Sequence, residues 1–112
     1  MGVEEMKKYE LRIWFEHGGG CIWSQNKEAE NEYGYLVDYK ALNLSSVVVE
    51  KLSLLEDEYT TFLDWDNPGA PSLWTKEQKD DFLLRANKVY EKIAEELGMN
   101  FQIENEIEKS LF

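Results

Sequence analysis

"TKEQKDDFLLRANKVYEKIAEELGMNFQIENEI", residues 75–107, changes its period midway, and that change decides the fold. Phe82, Ala86, Val89, Ile93 and Leu97 recur at spacings of three and four, which places them on one stripe of a helix. Thr75-Lys76-Glu77-Gln78 matches the capping box, in which the threonine hydroxyl and the glutamine side chain satisfy each other's free backbone N–H groups. Gly98 stands where a C-terminal cap glycine belongs. After it, Phe101, Ile103 and Ile107 alternate with Gln102, Glu104, Glu106 and Glu108, predicting a last strand with an acidic face.

Upstream, Val48, Leu52, Leu55, Tyr59 and Phe62 predict a second amphipathic helix, capped by Ser45 or Ser46 and running to about Leu63. Between the helices, Asp64 to Trp74 holds two prolines and Asn67-Pro68-Gly69, a composition for a tight turn. At the start, Tyr9, Leu11, Ile13 and Phe15 alternate with polar or amphipathic residues in a half-buried strand. Gly18, Gly19 and Gly20 then form a turn into a short strand at Cys21-Ile22-Trp23. Residues 25–32, QNKEAENE, have the composition of a solvated loop, and the aromatic run Tyr33 to Tyr39 that of a short third strand. Two helices with apolar stripes and a sheet with one apolar face bury one another as two layers. The expected architecture is a single α+β domain over residues 1–112, with two helices on a three- to four-stranded sheet.

The 112 residues suffice to bury roughly two-thirds of the unfolded surface in one core, not two. Aromatic residues make up 13%, enough to build that core although 31% of the chain is charged. No apolar run reaches the roughly 18 residues that span a bilayer, and MGVEEMKKYE lacks the apolar centre of a signal peptide. A lone Cys21 forms no internal disulfide, which fits a reducing compartment, so the expected location is the cytoplasm. Twelve Lys and Arg against 23 Asp and Glu give a net charge of −11. Such a field repels nucleic acid and anionic membranes and draws in basic proteins. Solubility alone also accounts for acidity.

His17-Gly18-Gly19-Gly20 has the look of an esterase oxyanion loop, but that chemistry needs a G-x-S-x-G elbow and a catalytic histidine elsewhere. The chain has neither, so the stretch reads as a turn. Cys21 and His17 are near enough in sequence to pair, yet nothing orients the histidine, and a cysteine on a hairpin serves as a small packed hydrophobe. Two such residues are too few for zinc. Asp64-Trp65-Asp66-Asn67-Pro68-Gly69 begins like a calcium loop, but Pro68 offers no side-chain oxygen and Thr75 stands at the twelfth position, where the geometry needs a bidentate glutamate. No catalytic residue, metal ligand or cofactor is therefore assigned.

Trp65 and Trp74 flank the connector beside Asp64 and Asp66, a set suited to gripping a basic partner, or to plugging the end of the core. Glu104, Glu106 and Glu108 either protect a sheet edge from aggregation or face a cation. The residues assigned to partner binding, from composition alone, are Asp64, Trp65, Asp66, Trp74, Glu104 and Glu106.

Taken together, Tyr9-x-Leu11-x-Ile13-Trp14, the glycine turn into Cys21-Ile22-Trp23-Ser24, Leu63-Asp64-Trp65-Asp66-Asn67-Pro68, Trp74 and Phe82 resemble small acidic immunity proteins of polymorphic or contact-dependent toxin systems. The resemblance runs from Tyr9 to Ile107 and rests on aromatics, turn residues and caps. It implies a cytoplasmic, non-enzymatic protein that binds and neutralises one cognate toxin, often a nuclease, whose basic cleft an acidic and aromatic surface complements. Two other functions use the same residues: an acidic adaptor or nucleic-acid mimic that binds another basic protein, and a small carboxylate- or metal-dependent enzyme. Only the last needs a concave cluster of carboxylates.

Overall fold

The computed structural model describes residues 8–17 and 20–112. Its elements are strand β1 (Tyr9–Ile13), strand β2 (Ile22–Ser24), helix α1 (Lys27–Tyr33), a 3-10 turn (Tyr39–Leu42), helix α2 (Ser46–Tyr59), helix α3 (Lys76–Leu97), strand β3 (Phe101–Asn105) and a closing 3-10 turn (Ile107–Ser110). The result is the expected α+β class, with three helices and a three-stranded mixed sheet.

β1 is the central strand, antiparallel to β2 and parallel to β3. A parallel neighbour requires a long crossover, and both principal helices lie within it. Leu11 and Ile13 of β1 and Phe15 just beyond it point inward, while Phe82, Ala86 and Ile93 of α3 and Val48 and Leu52 of α2 close over them, all buried. α3 packs on β3 and on the closing turn, and α2 packs on α3.

The caps hold as expected. Thr75 and Gln78 form the reciprocal capping box at 3.1 and 2.7 Å, and Ser45 Oγ accepts from the Val48 N–H at 3.3 Å. Glu96 of α3 adds a second cap to α2, accepting from the Ser45 N–H at 2.7 Å and from its hydroxyl at 2.8 Å. These bonds hold the Glu96 carboxyl below its ordinary pKa. Gly98 closes α3 with φ of 80°, a conformation open to glycine at no steric cost.

Four expectations are corrected. Residues 27–33 are a helix, not a loop. Asn26 caps it, its Oδ1 accepting from the Ala29 N–H at 3.0 Å and from the Glu10 N–H of β1 at 3.1 Å. The expected third strand at Tyr33 to Tyr39 shrinks to one bridge, Trp23 to Leu36. Gly34 turns at φ 82° to end α1, and the 3-10 turn begins at Tyr39, so little extended chain is left between them. α2 stops at Tyr59, not Leu63, because Thr60 and Thr61 turn their hydroxyls back onto the Asp57 and Glu58 carbonyls at 2.6 and 2.8 Å. Last, β3 ends at Asn105, whose Oδ1 accepts from the Ile107 N–H at 3.0 Å and starts the closing turn. Glu106 and Glu108 therefore leave the strand, and the three-glutamate face does not form.

Phe82 is fully buried, whereas Leu84, two residues on, is 58% exposed. Phe82→Ala is expected to lower the unfolding free energy by about 3–5 kcal/mol, and Leu84→Ala by no more than about 0.5 kcal/mol. Urea unfolding followed by tryptophan fluorescence measures both.

Candidate functional site

The connector between α2 and α3 is a self-bonded loop. The Asn67 N–H donates to the Asp64 carbonyl at 3.0 Å, the Ala70 N–H to that of Asn67 at 2.9 Å, and the Leu73 N–H to that of Phe62 at 3.0 Å. Asp64 turns its Oδ1 onto the Asp66 N–H at 3.0 Å, the aspartate turn that such a spacing favours. The Trp65 indole N–H donates to the Thr60 carbonyl at 2.7 Å, yet 56% of the residue remains exposed. A large aromatic held by its polar atom and left open on its ring is pre-organised for contact, because little rotamer freedom remains to be lost on binding.

Beneath it lies a stack that the sequence reading did not foresee. The His17 ring lies flat on Tyr59, with centroids 4.7 Å apart and planes 9° apart, and also faces Phe62 at 5.8 Å. Trp65 meets His17 edge-on at 5.7 Å. Phe62 continues the layer, and Lys79 sits over both Phe62 and Phe112, at 5.6 and 5.5 Å. Phe112 is 62% exposed. One end of the molecule thus presents Trp65, Asp64, Asp66 and, through its charge at His17, Glu16. Burial among the rings pushes the His17 pKa below its ordinary 6.5, against the smaller upward pull of Glu16.

The residues assigned to partner binding do not form one patch. Asp64, Trp65 and Asp66 share the connector. Trp74 is only 8% exposed, its indole N–H donating to Thr61 Oγ1 at 2.8 Å and its ring packed against Phe62 and Phe82. Glu104 lies on β3 and accepts from the Gln25 side chain at 2.8 Å. Glu106 is 8% exposed and paired with Lys109 at 3.2 Å. Among the described residues no hydrogen bond or ion pair joins either glutamate to the connector.

The pairing of Cys21 with His17 is not made. Cys21 is fully buried, and its Sγ lies 3.1 Å from the Tyr39 hydroxyl, which donates in turn to Glu56 Oε1 at 2.8 Å. Burial pushes the thiol up to about 12, so the thiolate needed for nucleophilic attack is not populated at neutral pH. Burial also raises the Glu56 carboxyl above its usual range. The expected glycine turn rests on Gly18 and Gly19, which lie outside the described residues. Gly20 is closely packed: a Cβ there would meet Leu36 Cδ1 at 3.0 Å and the Tyr39 hydroxyl at 3.2 Å, so those side chains would have to give by a few tenths of an ångström. Among the described residues no helix is long and apolar enough to cross a membrane.

What this end of the molecule offers is a rigid aromatic anchor bracketed by carboxylates, the equipment of a protein-binding surface. The chain belongs to the Serratia CdiI immunity protein-like family, whose model matches residues 9–106. That family is one of immunity proteins of contact-dependent toxin systems, as the sequence resemblance implies. No curated protein matches the chain.

Two outcomes follow. A histidine whose folded pKa lies below its unfolded value contributes stability that is complete above about pH 6.5 and lost as pH falls through the folded value. His17→Phe, which keeps the stack but cannot titrate, is expected to gain on the wild type as pH drops from about 7.5 to about 5. Unfolding free energies of the two proteins at each pH read the difference. Separately, Cys21 is expected to react with a thiol reagent only at the rate of global opening, and promptly in urea; immediate labelling of the native protein contradicts its burial.

Proposed function

We propose that this protein neutralises one cognate toxin by binding it, without catalysis and in the cytoplasm, and that the toxin surface it covers is basic, as in a nuclease cleft. The family match over residues 9–106 carries the toxin-neutralising part. The net charge of −11 and the carboxylate-flanked, half-exposed Trp65 support the basic partner. Aromatic anchors dominate interface energetics, while flanking charge supplies encounter rate and selectivity. Asp64, Trp65 and Asp66 are the contact residues of this reading. Trp74 supports them from below, holding the loop through Thr61 and Phe62. Glu104 stands as a separate acidic contact on the β3 edge. Glu106, already buried against Lys109, has little to offer a partner.

The test is protection of cells that make the cognate toxin, together with capture of that toxin by the immobilised protein. The wild-type chain restores growth. Trp65→Ala combined with Asp66→Lys is expected to weaken capture by about 30-fold or more, equivalent to a hot-spot loss of about 2 kcal/mol. Glu91→Lys, an exposed carboxylate on α3, leaves capture nearly unchanged. Asp64→Asn separates charge from structure, because the amide oxygen still accepts from the Asp66 N–H. Full protection by the Trp65 and Asp66 double variant removes the connector from the interface.

A further inference from the structure

The outer groove between α2 and α3 has a charge opposite to that of the chain. It encloses about 330 Å³, with the buried Val48, Leu55 and Val89 along its floor and the exposed Leu54 at its lip. Lys51, Arg85, Lys88 and Lys92 line it too, with Glu58 as its one carboxylate. Four of the chain's 12 cations thus meet one of its 23 carboxylates in a single groove. Glu58 is already committed, since Arg85 donates to its two oxygens at 3.0 and 2.5 Å. Arg85 also reaches Asp81 at 2.9 Å. Lys51, Lys88 and Lys92 form no ion pair within 4 Å among the described residues, although the charge of Lys92 is felt at Glu96. Glu96, one turn beyond Lys92, is occupied by the Ser45 cap.

We propose that this groove binds a single-chain anionic amphiphile, an alkyl carboxylate whose chain lies on the apolar floor and whose head sits among Lys51, Lys88 and Lys92. The volume falls at the lower end of small-molecule sites, which run from about 300 Å³ upward. Leu54 is 61% exposed at the lip, apolar area that a chain would cover. The floor suits an apolar chain by its chemistry. Val48, Leu54, Leu55 and Val89 offer no side-chain donor or acceptor, so what they give an occupant is apolar contact, with the lysines supplying the charge. An alkyl chain needs no hydrogen bonds, and its one charged end needs cations. The groove shares no residue with the connector that the proposed function assigns to toxin binding.

The experiment is titration of the ¹⁵N-labelled full chain with sodium decanoate, kept below micelle formation, against decyltrimethylammonium as the cationic counterpart. The expected result is saturable shifts of the amides in residues 48–58 and 85–92 with decanoate and none with the cation. The Lys51→Glu, Lys88→Glu double variant is expected to bind at least about tenfold more weakly, and Lys27→Glu on α1 like the wild type. If the double variant does not fold, Lys88→Ala at an exposed helix position supplies the comparison. Equal binding of both amphiphiles, no saturation at millimolar decanoate, or shifts spread over the whole chain overturns the proposal. So does binding to phosphatidylglycerol vesicles without binding to monomeric decanoate.

Discussion

Tyr59 is the residue on which the other elements converge. It ends α2, and its ring touches Phe15 beyond β1, His17 after it, Phe62 and Trp74 of the connector and Phe82 of α3, at centroid distances of 4.7 to 6.0 Å. Its hydroxyl donates to the Ser110 carbonyl at 2.7 Å, which ties the closing turn to the same point. Burial with Glu16 nearby pushes that hydroxyl up to about 12, so it stays protonated and keeps donating across the physiological range. Aromatic pairs of this kind add about 0.5–1.5 kcal/mol each beyond the area they bury. Several meeting on one ring make the end of α2 a rigid pedestal. The exposed Trp65 stands on it, held by its own bond to Thr60.

The long helix α3 was legible because every level of its sequence agrees: stripe, capping box and terminal glycine. Leu11, Ile13 and Phe15 were legible for the same reason, as alternation over seven residues leaves one choice of face. α1 escaped because its seven residues bury only Ala29, too little for any periodicity to show. Its one signal was Asn26 ahead of an acidic first turn. The stretch from Tyr33 to Tyr39 misled through composition, since β-favouring aromatics there serve to pack and to hydrogen-bond across elements. The strand ending at Asn105 turned on a single side-chain bond, which alternation cannot anticipate. Within the site, Asp64, Trp65 and Asp66 were legible as neighbours in sequence. The approach of His17 was not, because it depends on how the end of β1 meets the end of α2, a contact between residues more than forty positions apart.

Charge is distributed with a direction. Carboxylates outnumber cations nearly two to one over the chain, yet cations prevail in the α2–α3 groove. A positively charged protein drawn to the acidic body would meet a region of its own sign at this groove, so the field would bias orientation as well as encounter. The connector and the groove do not share residues, although Arg85 and Glu58 of the groove lie close to Thr61 and Trp74 in a smaller cleft beside it. A change in the hold of Arg85 on Glu58 would therefore be felt near the support of the connector.

The parallel pairing of β1 with β3 decides when the core can close. The two paired strands are separated by most of the described chain, and the Phe15 N–H must wait for Ser110 Oγ, 95 residues on and 2.7 Å away in the fold. Until then Leu11 and Ile13 have no closed core to enter. Contacts so distant in sequence are costly to form and slow the search for the native state. The core is thus closed by its most distant pairing, and Leu11 and Ile13 are shielded only once that pairing has formed.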